Sequence, residues 1–208
     1  SRAIASSFLF FDPSLAEFHN EGSMTPITVI APEGSVVNPK YPATVGGSPQ
    51  SVGTEVMEAT VMALSQAMPH KAIASWGRHQ GHYIFGVDPR TGERYVETTF
   101  DADGGAGAVS GYDGFEGAAS LPTLGSVQRS EMEEVESRFP WRILCYKLVP
   151  DLSGGGKWRG ACGLRWEALN LGSDGGMATG SSDGHQTRPP GAAGGEDGPL
   201  CKAYIKRG

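Results

Sequence analysis

The alternation of apolar and polar residues predicts one long helix, at about residues 50–67. Small apolar residues recur there at spacings of three and four: Val52, Val56, Ala59, Ala63, Leu64 and Ala67. Pro69 follows closely and ends the pattern. Because this face consists largely of alanine and other short side chains, we expect it to be buried against another element at close distance.

Short apolar runs on both sides of this helix predict strands. They are ITVI at 27–30, KAIASW at 71–76, HYIFGV at 82–87, RYVETTF at 94–100 and RILCYKLV at 142–149. The segment DPRTG at 88–92 has proline at its second position, so a hairpin-like turn is expected there. Since strands outnumber helices, the pattern predicts a strand-rich α+β fold with long glycine-rich loops.

The periodicity disappears after residue 170. Residues 171–198 contain almost no large apolar side chain, and the chain closes on the short apolar run LCKAYIKRG. We therefore expect residues 1–170 to form a mixed α+β portion. Residues 171–208 are expected to form a glycine-rich loop, either covering a partner surface or disordered, and a short terminal strand.

Composition narrows the classes of function. Glycine accounts for 31 of 208 residues, about twice the usual share, which favours tight turns and close backbone contacts. A net charge of -6 without a basic cluster argues against a nucleic-acid partner. No apolar run is long enough to span a membrane. Three irregularly spaced cysteines, Cys145, Cys162 and Cys201, fit reduced thiols in a cytoplasmic protein.

The densest glycine stretch is FDADGGAGAVSGYDG at 100–114. Counted from Gly105 and Gly107, the dinucleotide-binding fingerprint requires a glycine where Ser110 stands. A second loop, GGGKW, carries Trp158 where a phosphate loop requires serine or threonine. Neither loop is therefore expected to bind ATP by itself.

Two histidines, His79 and His82, stand three residues apart with Arg78 beside them. A metal site needs further ligands, and Asp88 is the only carboxylate nearby in sequence. The sequence therefore favours a loop or strand end with one hydrogen-bonded histidine over a metal site.

Three further motifs have simple interpretations. GSSDG at 180–184 has the letters of a nucleophile elbow but lacks the strand before it and the helix after it. Four glutamates at 131–136 favour a solvated face over acid–base chemistry. Turn chemistry alone can explain the group His19, Asn20 and Glu21. Taken singly, none of these motifs identifies a reaction.

The order of the motifs carries more information than any one of them. The series is NEG at 20–22, APEGSVVNP at 31–39, YPATVG at 41–46, DPRTG at 88–92, the glycine stretch ending in Asp113-Gly114, the pattern formed by Glu133, Glu136 and Pro140, SGGGKWRGACG at 153–163 and PPGAAGGEDG at 189–198. In this order and spacing the chain resembles the hydantoinase B / 5-oxoprolinase B family, from about residue 20 to residue 198. The likeness is to the central-to-C-terminal portion of such subunits.

The resemblance implies a role in a multi-subunit enzyme. Members of the family work with an ATP-handling, hydantoinase A-type subunit to open cyclic amides such as hydantoins, 5-oxoproline and other lactams. The chain is thus expected to be a B-type subunit of an ATP-dependent cyclic amidohydrolase, or a fragment of one. Two alternatives stay open, namely a subunit of an ATP-dependent ketone carboxylase of the acetone or acetophenone type, and a non-catalytic structural subunit.

The resemblance also implies where cofactors and partners bind. ATP and Mg are expected on the partner subunit and not on this chain alone, and any divalent metal is expected in the N-terminal part of the B-type subunit. The expected partners are the A-type subunit, the remainder of the B-type subunit and a small-molecule substrate.

The candidate site follows from the need to hold anionic oxygens and exclude water. We predict Asp101, Asp103 and Arg159 as catalytic residues, with Arg159 pairing either with an anionic intermediate or with a loop carboxylate. Residues predicted to bind substrate or intermediate are Asn20, Glu21, Gly104, Gly105, Gly107, His79 and His82. Residues 101–107 and the turn at 157–160 are expected to lie against a cavity or a subunit interface.

Overall fold

The computed structural model describes residues 2–18, 20–46, 51–99, 103–118, 121 and 129–206. Three α-helices, three short 3-10 helices and five strands occur in these ranges, and the strands form a three-stranded and a two-stranded antiparallel sheet. This confirms the predicted α+β class.

The predicted long helix is confirmed as α2, Val52–Ala67, which packs against the N-terminal helix α1, Arg2–Leu9. The core beside α2 is formed by Phe11, Val61 and Ile73. The small and apolar residues at helical spacing therefore form the predicted helix. Helix α2 packs against α1 and the segment at 72–79.

The prediction that α2 buries an alanine-rich face is wrong. The alanines at 59, 63 and 67 are not buried, and the buried residues are Thr54, Met57, Glu58, Val61 and Ser65. Polar residues are accepted on this face because hydrogen bonds satisfy them. Ser65 Oγ, for example, donates to Val61 O at 2.8 Å and accepts from Ile73 N at 3.2 Å.

The strands β1, Gln80–Val87, and β2, Arg94–Thr99, form the predicted hairpin. The turn between them is closed by a hydrogen bond from Asp88 N to Glu93 O at 2.8 Å, and Gly92 takes a φ of +74°. Hydrogen bonds from Arg90 lower the pKa of the Asp88 carboxyl.

The prediction of an irregular segment after residue 170 is wrong for β5, Ser173–Ser182. This strand pairs antiparallel with β1, which therefore lies in the middle of a sheet of order β2-β1-β5. Its glycine-rich sequence shows no apolar alternation. The strand forms because β1 supplies the edge to which its backbone hydrogen-bonds. The predicted terminal strand is also absent, since residues 200–206 form no strand.

The second sheet is a hairpin of β3, Trp141–Val149, and β4, Gly163–Asn170, preceded by the short helix α3, Met132–Arg138.

Two other predicted strands are not found. Residues 27–30 form no strand, and Ile30 is 85% exposed. Residues 71–76 form no strand either, although Ile73 makes an isolated bridge to Val109.

Candidate functional site

The glycine loop at 103–107 lies inside the molecule, where it passes another backbone segment at very short distance. A Cβ placed on Gly77 would lie 2.5 Å from Gly104 Cα, and one placed on Gly104 would lie 2.6 Å from Gly77 Cα. A Cβ on Gly107 would collide with Ala74 O, and one on Gly105 with Ala161 Cβ. Glycine is required here because only a residue without a side chain lets the segments approach this closely.

Backbone hydrogen bonds fix the loop on both sides. On one side Ala74 N donates to Ala108 O at 3.0 Å, and Gly77 N donates to Gly105 O at 2.8 Å. On the other side Ala106 N donates to Phe115 O at 2.9 Å, and Ala106 O accepts from the Ala161 backbone. The loop is therefore a rigid layer between two parts of the chain, and it holds the residue that begins it, Asp103, in a fixed position.

Asp103 and His79 form a buried pair at the start of β1. His79 Nδ1 lies 2.8 Å from Asp103 Oδ1, and each residue is 2% exposed. The same Oδ1 accepts the backbone N–H of Gln80 at 2.7 Å. Because Oδ1 acts as an acceptor, the proton of the pair is assigned to Nδ1, which orients the imidazole as a carboxylate does in catalytic triads.

Asp183 follows β5 and is fixed to the same segment. Its backbone N–H donates to His79 O at 2.9 Å, and its backbone oxygen accepts from Gln80 Nε2 at 2.8 Å. Its Oδ2 atom is buried and has no hydrogen-bond partner among the described residues. Burial raises the pKa of this carboxyl, although the neighbouring His79 and Arg78 act in the opposite direction. Asp183 was not predicted as a site residue.

A buried ionic network lies beside this group. Arg78 is 4% exposed and its Nη1 contacts Glu58 Oε2 at 2.6 Å and Glu55 Oε1 at 3.1 Å. Ser75 Oγ donates to the other oxygen of Glu58. Burial raises the pKa of Glu58, and Arg78 opposes this shift. The carboxylates come from α2 and the guanidinium from the segment before β1, so the network joins the two elements.

Arg129 fixes the glycine loop to the second sheet. Its guanidinium donates to the backbone oxygens of Asp103 and Gly104, and to the Tyr146 hydroxyl at 3.2 Å. The position of Asp103 thus depends on β3 as well as on β1.

Arg159 is placed differently from the buried pair. Its backbone N–H donates to Asp113 Oδ1 at 2.7 Å, its carbonyl accepts from Gly114 N at 2.7 Å, and its side chain is exposed. The guanidinium forms no ion pair with any residue in the described ranges. The expected pairing of Arg159 with a loop carboxylate is therefore not seen among those residues.

The remaining predicted residues are dispersed. His82 stacks on Trp166, with ring centroids 5.5 Å apart, so the two histidines have different neighbours. Asn20 accepts the N–H of Gly22 at 2.8 Å and caps the short 3-10 helix that Glu21 begins. Asp101 lies outside the described residues.

Neither glycine loop fits the role of a phosphate cradle. The loop at 103–107 is filled by its own chain, as described above. In the loop at 154–160, a Cβ on Gly154 would collide with Glu196 O, Glu196 N donates to Gly155 O at 2.8 Å, and the Glu196 carboxylate lies beside Gly155. Backbone and a negative charge occupy the space that an anion would need.

Two other classes of feature are missing from the same residues. No group of three His, Cys, Asp or Glu side chains in the described part of the chain could hold a metal ion. None of the helices described here is long and apolar enough to cross a membrane.

Comparison with known proteins identifies the family. The Hydantoinase B/oxoprolinase family model matches residues 3–207. The chain is 31% identical over 187 residues to a protein of Pseudomonas sp. (strain NS671) named as the B-type component of a D-/L-hydantoinase, covering 90% of this chain and 30% of that protein. It is 32% identical over 179 residues to the beta chain of the caprolactamase of Pseudomonas jessenii, covering 85% and 31%.

The fold is also shared with a solved structure. The crystal structure of the ATP-dependent caprolactamase from Pseudomonas jessenii matches with a TM-score of 0.65 and 30% identity, covering 73% of this chain and 27% of that chain. The chain thus spans less than a third of the length of these relatives. As the order of its motifs predicts, the chain belongs to the hydantoinase B/oxoprolinase family.

Proposed function

We propose that this chain is part of the B-type subunit of an ATP-dependent enzyme that hydrolyses cyclic amides. The observation that carries the proposal is the likeness, over 85% to 90% of the chain, to subunits named for a hydantoinase and a caprolactamase. Hydantoins and lactams share a ring amide, so the shared chemistry is cleavage of that bond.

The group formed by the buried His79 and Asp103 and the half-buried Asp183 supplies the acid–base chemistry in this proposal. Hydrolysis adds a hydroxyl to the carbonyl carbon and breaks the C–N bond, and the departing nitrogen takes up a proton. Asp183 suits the last step, because burial raises its pKa and lets it keep a proton to higher pH than an ordinary aspartate. His79 suits the removal of a proton from water, and Asp103 positions its imidazole.

The roles of the other predicted residues follow from their placement. Arg159 carries an exposed guanidinium, which suits an anionic group arriving from outside the described structure. Gly104, Gly105 and Gly107 position Asp103 and have no direct contact with substrate in this proposal.

ATP and its Mg ion are assigned to a hydantoinase A-type partner subunit, since the glycine loops of this chain do not fit a phosphate group. The remainder of the B-type polypeptide completes the enzyme. We place the complex in the cytoplasm, where the three free cysteines would stay reduced.

The test is an assay of the complete complex that contains this chain. Hydantoin, 5-oxoproline and caprolactam are supplied with and without ATP, and ring opening is followed by chromatography. The proposal requires ATP-dependent opening of at least one ring. Bicarbonate-dependent consumption of acetone or acetophenone, without ring opening, would assign the ketone carboxylase role instead. Unchanged turnover by a complex that lacks this chain would assign a structural role.

A further inference from the structure

A charged groove lies beside the buried acid–base group, between α2 and residues 186–200. Its volume is about 520 Å³, within the range of roughly 300 to 1,000 Å³ typical of small-molecule sites. Five charged residues line it: Glu55, Glu58, Arg78, Arg188 and Asp197. None of them belongs to the acid–base group of His79, Asp103 and Asp183.

The floor of the groove is electrically compensated. Arg78 and Glu58 are almost fully buried and contact each other at 2.6 Å, so their charges offset one another. Burial raises the pKa of Glu58, and Arg78 opposes this shift. Because Glu55 also contacts Arg78, two carboxylates share one cation, and the α2 side of the groove keeps a net negative charge.

Glu55 on one wall and Arg188 on the other carry opposite charges and form no ion pair with each other. On the α2 wall the side chain of Glu55 is 50% exposed, with one carboxylate oxygen 3.1 Å from Arg78 Nη1. On the facing wall Arg188 is exposed, makes one long contact to Gly198 O at 3.4 Å, and forms no ion pair within the described part of the chain. Asp197, on the same wall, accepts the N–H of Gly191 at 3.0 Å.

We propose that this groove binds a small zwitterion, with its ammonium group at Glu55 and its carboxylate at Arg188. Charge-assisted hydrogen bonds at both ends would hold such a molecule across the groove. The identity of the ligand rests on the proposed function, because hydrolysis of a lactam gives an amino acid that is a zwitterion at neutral pH. The groove is then a binding site for the ring-opened product.

Binding to the complete complex without ATP tests the inference, because no turnover is then required. Titration calorimetry compares 6-aminohexanoate with hexanoate, which lacks the ammonium group, and with 1-aminohexane, which lacks the carboxylate. We expect the zwitterion to bind about tenfold tighter than either single-charge compound.

Matched variants locate the site. Arg188→Gln should weaken binding of 6-aminohexanoate and hexanoate about tenfold and leave binding of 1-aminohexane unchanged. Glu55→Gln should weaken binding of 1-aminohexane and leave binding of hexanoate unchanged. Arg138→Gln and Glu134→Gln alter an exposed ion pair on α3, outside the groove, and should change nothing.

Three results would overturn the inference: absence of saturable binding, equal affinity for the three compounds, or equal effects of Arg188→Gln and Arg138→Gln. Failure here together with ATP-dependent ring opening would leave the proposed function standing. Zwitterion binding at the groove by a complex without ring-opening activity would support the binding site and contradict the proposed function.

Discussion

Gly77 and Gly104 face each other so closely that neither position has room for a Cβ atom. The contact is between backbones, with a hydrogen bond from Gly77 N to Gly105 O one residue further on. Because the two residues on either side of this contact, Arg78 and Asp103, reach the ionic network and the acid–base pair, the glycines determine where the functional side chains lie.

A methyl group at this contact should destabilise the protein. Gly104→Ala forces two backbone segments apart, and we expect the free energy of unfolding to fall by about 1 to 3 kcal/mol. Gly46→Ala is the matched control, because a Cβ at Gly46 would meet nothing within 4 Å. Urea denaturation of the full-length protein measures both, and equal stability of the two variants would contradict the contact.

Removal of the buried guanidinium should be costly. Arg78→Met leaves the buried Glu58 carboxylate without its cation, and we expect the free energy of unfolding to fall by about 3 kcal/mol or more. Arg138→Met removes the exposed pair with Glu134 and should cost about 0.5 kcal/mol or less. If thermal denaturation gives similar losses for the two variants, Arg78 does not stabilise the junction between α2 and β1.

The stability of the protein should depend on the protonation of Asp183. Its folded pKa is raised above the ordinary value of 3.8, so the protonated carboxyl favours the folded state. This contribution to the free energy of unfolding is complete below pH 3.8 and is lost as pH rises through the folded pKa. Asp183→Asn mimics the protonated carboxyl, and its stability relative to the wild type should therefore increase from about pH 4 to pH 7.

Denaturation of both proteins at several pH values measures this difference. A pH-independent difference for Asp183→Asn would contradict a raised pKa of this half-buried carboxyl.

The exposed guanidinium of Arg159 is expected to act on an anion and not on the fold. Arg159→Met should leave stability within about 0.5 kcal/mol of the wild type, since no ion pair with a described residue is lost. Turnover of the complex should fall about tenfold or more. Full turnover would exclude the anion-holding role, and failure of the complex to assemble would make Arg159 architectural.

Local patterns predicted the elements that depend on local interactions. Within the predicted range, Val52–Ala67 forms α2 because helical spacing and a following proline act within a few residues. The hairpin of β1 and β2 forms because DPRTG sets the turn between two apolar runs.

Other features depend on partners far away in sequence, and the sequence pattern did not reveal them. Glu58 can be buried because it forms an ion pair with Arg78, so the buried face of α2 differs from the alanine-rich face that was expected. The strand β5 has no apolar alternation and exists because β1 pairs with it. Asp183 joins His79 across about a hundred residues, and no motif connects the two.

The most direct test of the proposed mechanism is the ring-opening rate of the complex that carries Asp183→Asn. Asparagine keeps the shape of the carboxyl but cannot donate the same proton. We expect the rate at pH 7 to fall about 100-fold or more, while the stability at the same pH is equal to or above that of the wild type. A variant with full ring-opening activity would contradict the assignment of Asp183 as the proton donor, and with it the acid–base role proposed for this chain.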